Sequence, residues 1–278
     1  MKLDIQSILN KIKNVKIAVY GDLCLDAYWI LDPKGSEISL ETGKQAQAVK
    51  EQNYHLGGGA NVIANIAALN PAEIVAIGSV GHDLFGQEII RQFEALNVNT
   101  DDVVLNDAPY QTVTFCKRYI NQEEAPRIDF GFLNTLPEKA SDHMLASFES
   151  ALQSCDALII NQQVPGSLDH SSFLQKLNQL LKKYPDKLVL IDSRDYSDQL
   201  ENVILKTNEV EAARLNGVDA TPIDTFSEEE IIQFGKSLYS KNNRPIFISR
   251  GENGLICVDE NGVDATPIDT FSEEEIIQ

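Results

Sequence analysis

Gly21-Asp22-Leu23-Cys24-Leu25-Asp26 directly follows an apolar run, Lys16 to Tyr20. A carboxylate just past a strand end can accept hydrogen bonds from two hydroxyls of a polyol; the plainer role for Asp22 and Asp26 is to cap a turn. Leu56-Gly57-Gly58-Gly59-Ala60-Asn61 opens a stretch rich in small residues. Consecutive glycines let backbone come close to a ligand. The start of a following helix points free N–H groups at it, and Asn61 adds a donor and an acceptor. Asn208-Glu209-Val210-Glu211 stands at a strand-to-helix turn. Glu211 can hold a water of hydrated Mg2+, or Asn208 and the acids can simply cap a helix. Ser249-Arg250-Gly251-Glu252-Asn253-Gly254 lies between two apolar runs. Its hydroxyl and amides suit phosphates, and a plain β-turn explains the same glycines.

These segments need elements to hold them. Lys16–Tyr20, Glu73–Ile77, Asp156–Asn161, Lys187–Ile191, Val203–Leu205, Pro245–Ser249 and Leu255–Val258 read as short strands rich in β-branched residues. Gly59–Leu69, Phe85–Leu96, Leu168–Lys183 and Glu209–Leu215 read as helices between them. Such alternation predicts right-handed crossovers and a mainly parallel sheet covered on both faces. Ala27–Leu56 and Tyr110–Asp129 break the rhythm. Alternating segments such as Thr112–Tyr119 suit antiparallel strands with one wet face, so both stretches are assigned to a small β-sheet lid.

A formal net charge of −19 argues against nucleic acid or an anionic membrane as partner. Cys24, Cys116, Cys155 and Cys257 form no C-x-x-C pair, and His55, His82, His143 and His170 show no metal-ligand spacing. Free thiols, no signal-like N-terminus and no long apolar span predict a cytoplasmic protein.

Asn216–Gln233 (NGVDATPIDTFSEEEIIQ) recurs letter for letter at Asn261–Gln278. Structural repeats diverge and stack in series, so a duplication explains a perfect pair better than a solenoid does. The first copy suits its place: Thr225 or Ser227 can cap a helix with Glu228, Glu229 and Glu230 in its first turn. The second is read as foreign to the fold, with Phe271–Gln278 exposed or loosely docked.

The order of the motifs resembles the ribokinase-like (PfkB) carbohydrate kinase family, from about Val15 to Val258. GDLCLDAYW (Gly21–Trp29), GGGANVIANIAAL (Gly57–Leu69) and KRY…RIDFG (Lys117–Gly131) look most like its heptose-phosphate kinases. The resemblance implies an α/β, ribokinase-like three-layer sandwich over residues 1–260, with lid segments at about 27–56 and 110–131. It implies that Asp26, Gly57, Gly58 and Asn61 hold a sugar or sugar phosphate. Lys117, Arg127 and Asp129 would reach a substrate phosphate or order the lid; Arg127 and Asp129 can equally pair with each other. Asn208 and Glu211 would serve Mg2+ and phosphates, with Glu211 toward the metal, and Ser249, Gly251 and Gly254 would line the ATP site. A homodimer through the lid edges is open to such a chain.

The family's Gly-Ala-Gly-Asp segment, whose Asp accepts the hydroxyl proton, is expected after the strand ending near Val258. The duplicate stands there instead, and the chain contains no Gly-x-Gly-Asp. The expectation is therefore a carbohydrate kinase, truncated before its base and inactive or very weak as it stands. The alternatives are a nucleoside kinase of the same fold and a non-catalytic sugar-binding regulator.

Overall fold

Lys16 to Gly21 alternates too little for a half-wet strand, and it is buried through Ala18, Val19 and Tyr20. The structure, a computed structural model, describes residues 5–164 and 170–266. The expectations for the start of the Leu168–Lys183 helix and for Phe271–Gln278 lie outside these. The chain divides into two compact units, 1–177 and 178–278.

The first unit opens with α1 (Ile5–Ile12), β1 (Lys16–Gly21), β2 (Leu23–Asp32), β3 (Ala48–Gly57) and α2 (Gly58–Ala68). β4 (Glu73–Gly81), α3 (Leu84–Ala95), β5 (Val103–Asn106), β6 (Thr114–Ile120) and β7 (Glu123–Phe130) follow. α4 (Glu138–Ser154), β8 (Ala157–Gln162) and the start of α5 (His170–Lys183) complete it. β8, β1, β4 and β5 lie side by side and all parallel. Val19, Leu23, Ile63, Ala76, Ile89 and Phe93 pack one core against them. α4 buries Ala140, Met144, Phe148, Ala151 and Leu152 along one stripe.

The two lid stretches form a separate sheet, β3-β2-β6-β7. β2 pairs antiparallel with β3, and β6 with β7, but β2 and β6 run parallel. This corrects the expectation of antiparallel strands throughout. β2 and β6 do not form a hairpin; they are reached from β1 and β5, strands of one parallel sheet, so they run the same way. Leu25, Ala27 and Cys116 are buried, and Asp26, Tyr28 and Lys117 alternate to the wetter face.

The second unit holds β9 (Leu188–Ser193), β10 (Ile204–Asn208), α6 (Glu209–Leu215), α7 (Glu228–Asn242), β11 (Ile246–Ser249), β12 (Leu255–Asp259) and β13 (Gly262–Thr266). β9, β10 and β11 are parallel, and β12 and β13 add antiparallel edges. α7 is capped by Ser227 in a reciprocal box with Glu230. Ile231 is fully buried, so the first copy of the repeat belongs to the core. In the second copy Gly262–Thr266 is strand β13, not the irregular stretch that the same letters form at Gly217–Thr221. All four cysteines are free, and only Cys257 is partly exposed. Among the described residues no helix is long and apolar enough to cross a membrane.

Candidate active site: two half-sites

β1, β8 and the start of α2 meet closely. A Cβ on Gly21 would lie 2.7 Å from the Asn161 carbonyl oxygen and 3.3 Å from the Gly59 Cα. Gly58 has φ +52°, and a Cβ there would sit 2.8 Å from the Asp22 carbonyl oxygen. Only glycine meets both demands. Asp22 ties the junction together. Its N–H donates to the Asn161 carbonyl at 3.2 Å, and its own carbonyl accepts from Gly59 N–H at 2.8 Å. Its Oδ2 accepts from the amides of Gln163 and Val164 at 2.5 and 2.6 Å. Asp22 is thus buried and committed.

Asp26 is placed differently. It is in strand β2, with Oδ2 against Gly57, where a Cβ would stand 3.3 Å away. Its Oδ1 is 3.2 Å from Lys117 Nζ, with both side chains about three-quarters buried. Lys117 Nζ also donates to the Tyr28 hydroxyl at 3.0 Å. Partial burial alone would lower the Lys117 pKa. The hydrogen bonds to Tyr28 and Asp26, with the Asp26 charge, outweigh it and hold the ammonium above the usual lysine value.

Strand register sets His55, Asp26, Phe115 and Asp129 in one row across the four strands. Arg127 binds Asp129 through both ends of its guanidinium, at 2.6 and 2.8 Å, and lies 4.5 Å over the Phe115 ring. The bond to Asp129 raises the Arg127 pKa further. On the same face Tyr28, Asn53, His55 and Tyr119 line an open hollow of about 520 Å³. Asn61, in the first turn of α2, is exposed.

The second unit gathers the other nominated residues. Asn208, Glu211, Ser249 and Gly251 line a hollow of about 680 Å³. Asn208 and Glu211 form a capping box. Asn208 Oδ1 accepts from Glu211 N–H at 2.8 Å, and Glu211 Oε2 accepts from Asn208 N–H at 3.0 Å. The Thr207 hydroxyl also donates to Oε2, at 3.3 Å. Among the described residues no group of three or more His, Cys, Asp or Glu could cage a metal. A single carboxylate with one oxygen committed and the other open fits a hydrated Mg2+, which keeps most of its waters. The Ser249 hydroxyl donates to the Thr207 carbonyl at 3.2 Å. Gly254 is absent from the hollow's wall; it closes the turn, with its carbonyl accepting from Arg250 N–H at 2.8 Å.

Residues that the sequence reading passed over also line this hollow: Ser193, Arg194, Asp195 and Arg250. Arg250 spans Glu209 at 3.3 Å and Glu228 at 2.7 Å, which fastens the starts of α6 and α7 to the loop. A basic residue beside Ser249 was the available signal. Ser193–Asp195, at the end of β9, had a strand-end position like that of Asp22.

The architecture, a mainly parallel sheet with a small second sheet, is that of the ribokinase-like α/β fold. Escherichia coli phosphofructokinase-2 in complex with fructose-6-phosphate shares it, with a TM-score of 0.67 and 18% identity over 93% of this chain and 81% of that one. Ribokinase from Cryptococcus neoformans var. grubii, in complex with ADP, does so at 0.64 and 18%, over 93% and 81%. The chain matches the profile of the pfkB family carbohydrate kinases over residues 14–278 and belongs to that family. The bifunctional protein HldE of Hydrogenovibrio crunogenus is 27% identical over 91% of this chain and 49% of its own length. That of Wolinella succinogenes is 30% identical over 76% and 44%. The chain therefore spans about half the length of the relatives it matches.

Proposed function

We propose that this chain is the sugar-kinase portion of an enzyme that transfers the γ-phosphate of ATP to a hydroxyl of a sugar or sugar phosphate. The observation that carries the reading is Asp26: a carboxylate on a strand, against Gly57 at the start of α2 and held by Lys117. A carboxylate accepts from two neighbouring hydroxyls at once, which is the recognition a polyol needs. Lys117 and Arg127 bring positive charge to the same sheet face, which favours a substrate carrying a phosphate.

In the second unit, the loop from Ser249 to Gly251 and the start of α6 offer amides and a hydroxyl for the nucleotide's phosphates. Glu211 would hold a hydrated Mg2+, with Asn208 beside it toward the nucleotide. That ion, when bound, neutralises phosphate charge. The residues themselves bind, orient and exclude water, which is most of what phosphoryl transfer asks of a protein. The chain as it stands holds no Gly-x-Gly-Asp, so the reading assigns it substrate binding with slow turnover. The protein would act as a cytoplasmic enzyme, and the lid edges β3 and β7 could pair two copies.

Calorimetry with a panel of pentoses, hexoses, heptoses and their monophosphates, and separately with ADP and Mg2+, tests this. Wild type is expected to bind at least one of the sugars, and ADP. Asp26→Asn should weaken the sugar by about 100-fold, the worth of hydrogen bonds to a charged group, and leave ADP unchanged. Wild type that binds no member of the panel overturns the proposal. Rapid ATP-dependent phosphorylation by this chain would overturn the slow-turnover part alone.

A further inference from the structure

Asn161 is 4% exposed, and its Oδ1 is buried without a hydrogen-bond partner. A buried acceptor left open in a native fold needs a reason. The residue stands at the C-terminal end of β8, opposite Gly21 in the β1–β8 register, so both project to one face. On that face a Cβ at Gly21 would lie 3.4 Å from the Asn161 Cβ and 3.3 Å from the Gly59 Cα. Asn161 therefore lies beside the first turn of α2. That helix has 11 residues, and its N-cap is Gly57, which supplies no side-chain cap. Of the amides in its first turn, that of Gly59 already donates to the Asp22 carbonyl, and an open acceptor is buried beside this turn.

Asp26 lies at the same helix start, against Gly57. Gly57 and Gly59 are two residues apart, at most about 7 Å of backbone. Two acceptors, one a carboxylate and one an amide oxygen, thus border one glycine run. We propose that Asn161 is a second substrate-reading residue, whose Oδ1 accepts from a hydroxyl of the polyol that Asp26 holds. The ligand it selects carries a second donor hydroxyl within a ring's width of the first. The inference rests on the sugar-kinase reading above.

Asn161→Ala and Asn161→Leu test it by calorimetry with whichever panel sugar wild type binds best, beside its monodeoxy analogues. Both variants should bind that sugar about tenfold more weakly and ADP as wild type does. Their unfolding midpoints in urea should be equal to wild type's or higher, because a buried open acceptor has been removed. A single deoxy analogue should lose about tenfold on wild type and nothing further on Asn161→Ala. An unchanged sugar affinity in folded variants overturns the inference while leaving the proposed function standing. So does a lower urea midpoint with deoxy effects that simply add, which marks a structural or water-held amide. Wild type that binds no sugar at all overturns the function and this inference with it.

Discussion

In the first unit, the bonds that shape the candidate sugar site join residues far apart in the chain: Asp22 to Val164 across 142 positions, and Lys117 to Tyr28 across 89. In the second unit the helix cap and the turn are local, although Ser249 reaches Thr207 across 42 positions and Arg250 reaches Glu209 across 41. Asn208 and Glu211 are three residues apart, and Gly254 closes on Arg250. A site made of long-range contacts exists only when the whole unit has folded, and each contact constrains which ligand fits. A site made of a helix cap and a turn is written into a few consecutive residues. Under the proposed function it would recognise phosphate, which is common to many ligands. Under the proposed function, substrate choice would fall to the first unit and a general phosphate cradle to the second.

Two glycines with similar backbone angles put this contrast to its strongest test. Gly58 has φ +52° and Gly251 has φ +53°. A Cβ on Gly58 would press on the Asp22 carbonyl at 2.8 Å and the Cys24 Sγ at 3.2 Å, whereas one on Gly251 meets nothing within 4 Å. Gly58→Ala should therefore cost about 2–4 kcal/mol, from backbone strain plus overpacking, and abolish sugar binding. Gly251→Ala should cost only the strain, about 1 kcal/mol. Urea unfolding of both variants checks this; equal losses would mean that the two half-sites are equally forgiving.

Asn208 gives a smaller effect with a sharper division. Asn208→Ala removes the cap of α6 and should cost about 1 kcal/mol while weakening ADP. Asn208→Asp keeps an acceptor for Glu211 N–H and should restore stability, yet its charge repels phosphate, so ADP affinity should stay low. Sugar affinity should not change in either. ADP titrations that ignore both substitutions would move the phosphate cradle away from the start of α6.

What was legible in the sequence follows the same division. Asn208-x-x-Glu211 and the glycines of the two loops are demands of local geometry, so their residue types announce them. The partner of Asp26 was not legible, because Lys117 meets it only through the β2–β6 register. Helix α4 was missed although Ala140, Met144, Phe148, Ala151 and Leu152 keep a helical spacing. Charged residues between them hide it from a search for apolar runs. The repeat shows the limit of local reading most directly. Ala220 is 4% exposed, and its carbonyl accepts from Arg214 at 2.8 Å, while Ala265, the same letter in the same hexapeptide, is exposed on edge strand β13. Neighbouring elements, and not the letters, decide between irregular chain and strand.

Arg127 and Asp129 offer the smallest effect and the one whose sign is most informative. Their side chains are 44% and 28% exposed, so breaking the pair should change stability by less than about 1 kcal/mol. Binding separates two roles for it. If Arg127 reads a substrate phosphate, Arg127→Gln should weaken sugar monophosphates several-fold, by about the worth of one charge-assisted bond, and spare the unphosphorylated sugar. Asp129→Asn then frees the guanidinium from its competitor and should tighten the same monophosphates. A surface brace for β7 predicts no such opposition: both substitutions would act alike, on phosphorylated and plain sugars together. Opposite shifts that fade at high salt would place phosphate recognition on this sheet face. Parallel shifts would leave Lys117 as its only cation there with a claim on the substrate.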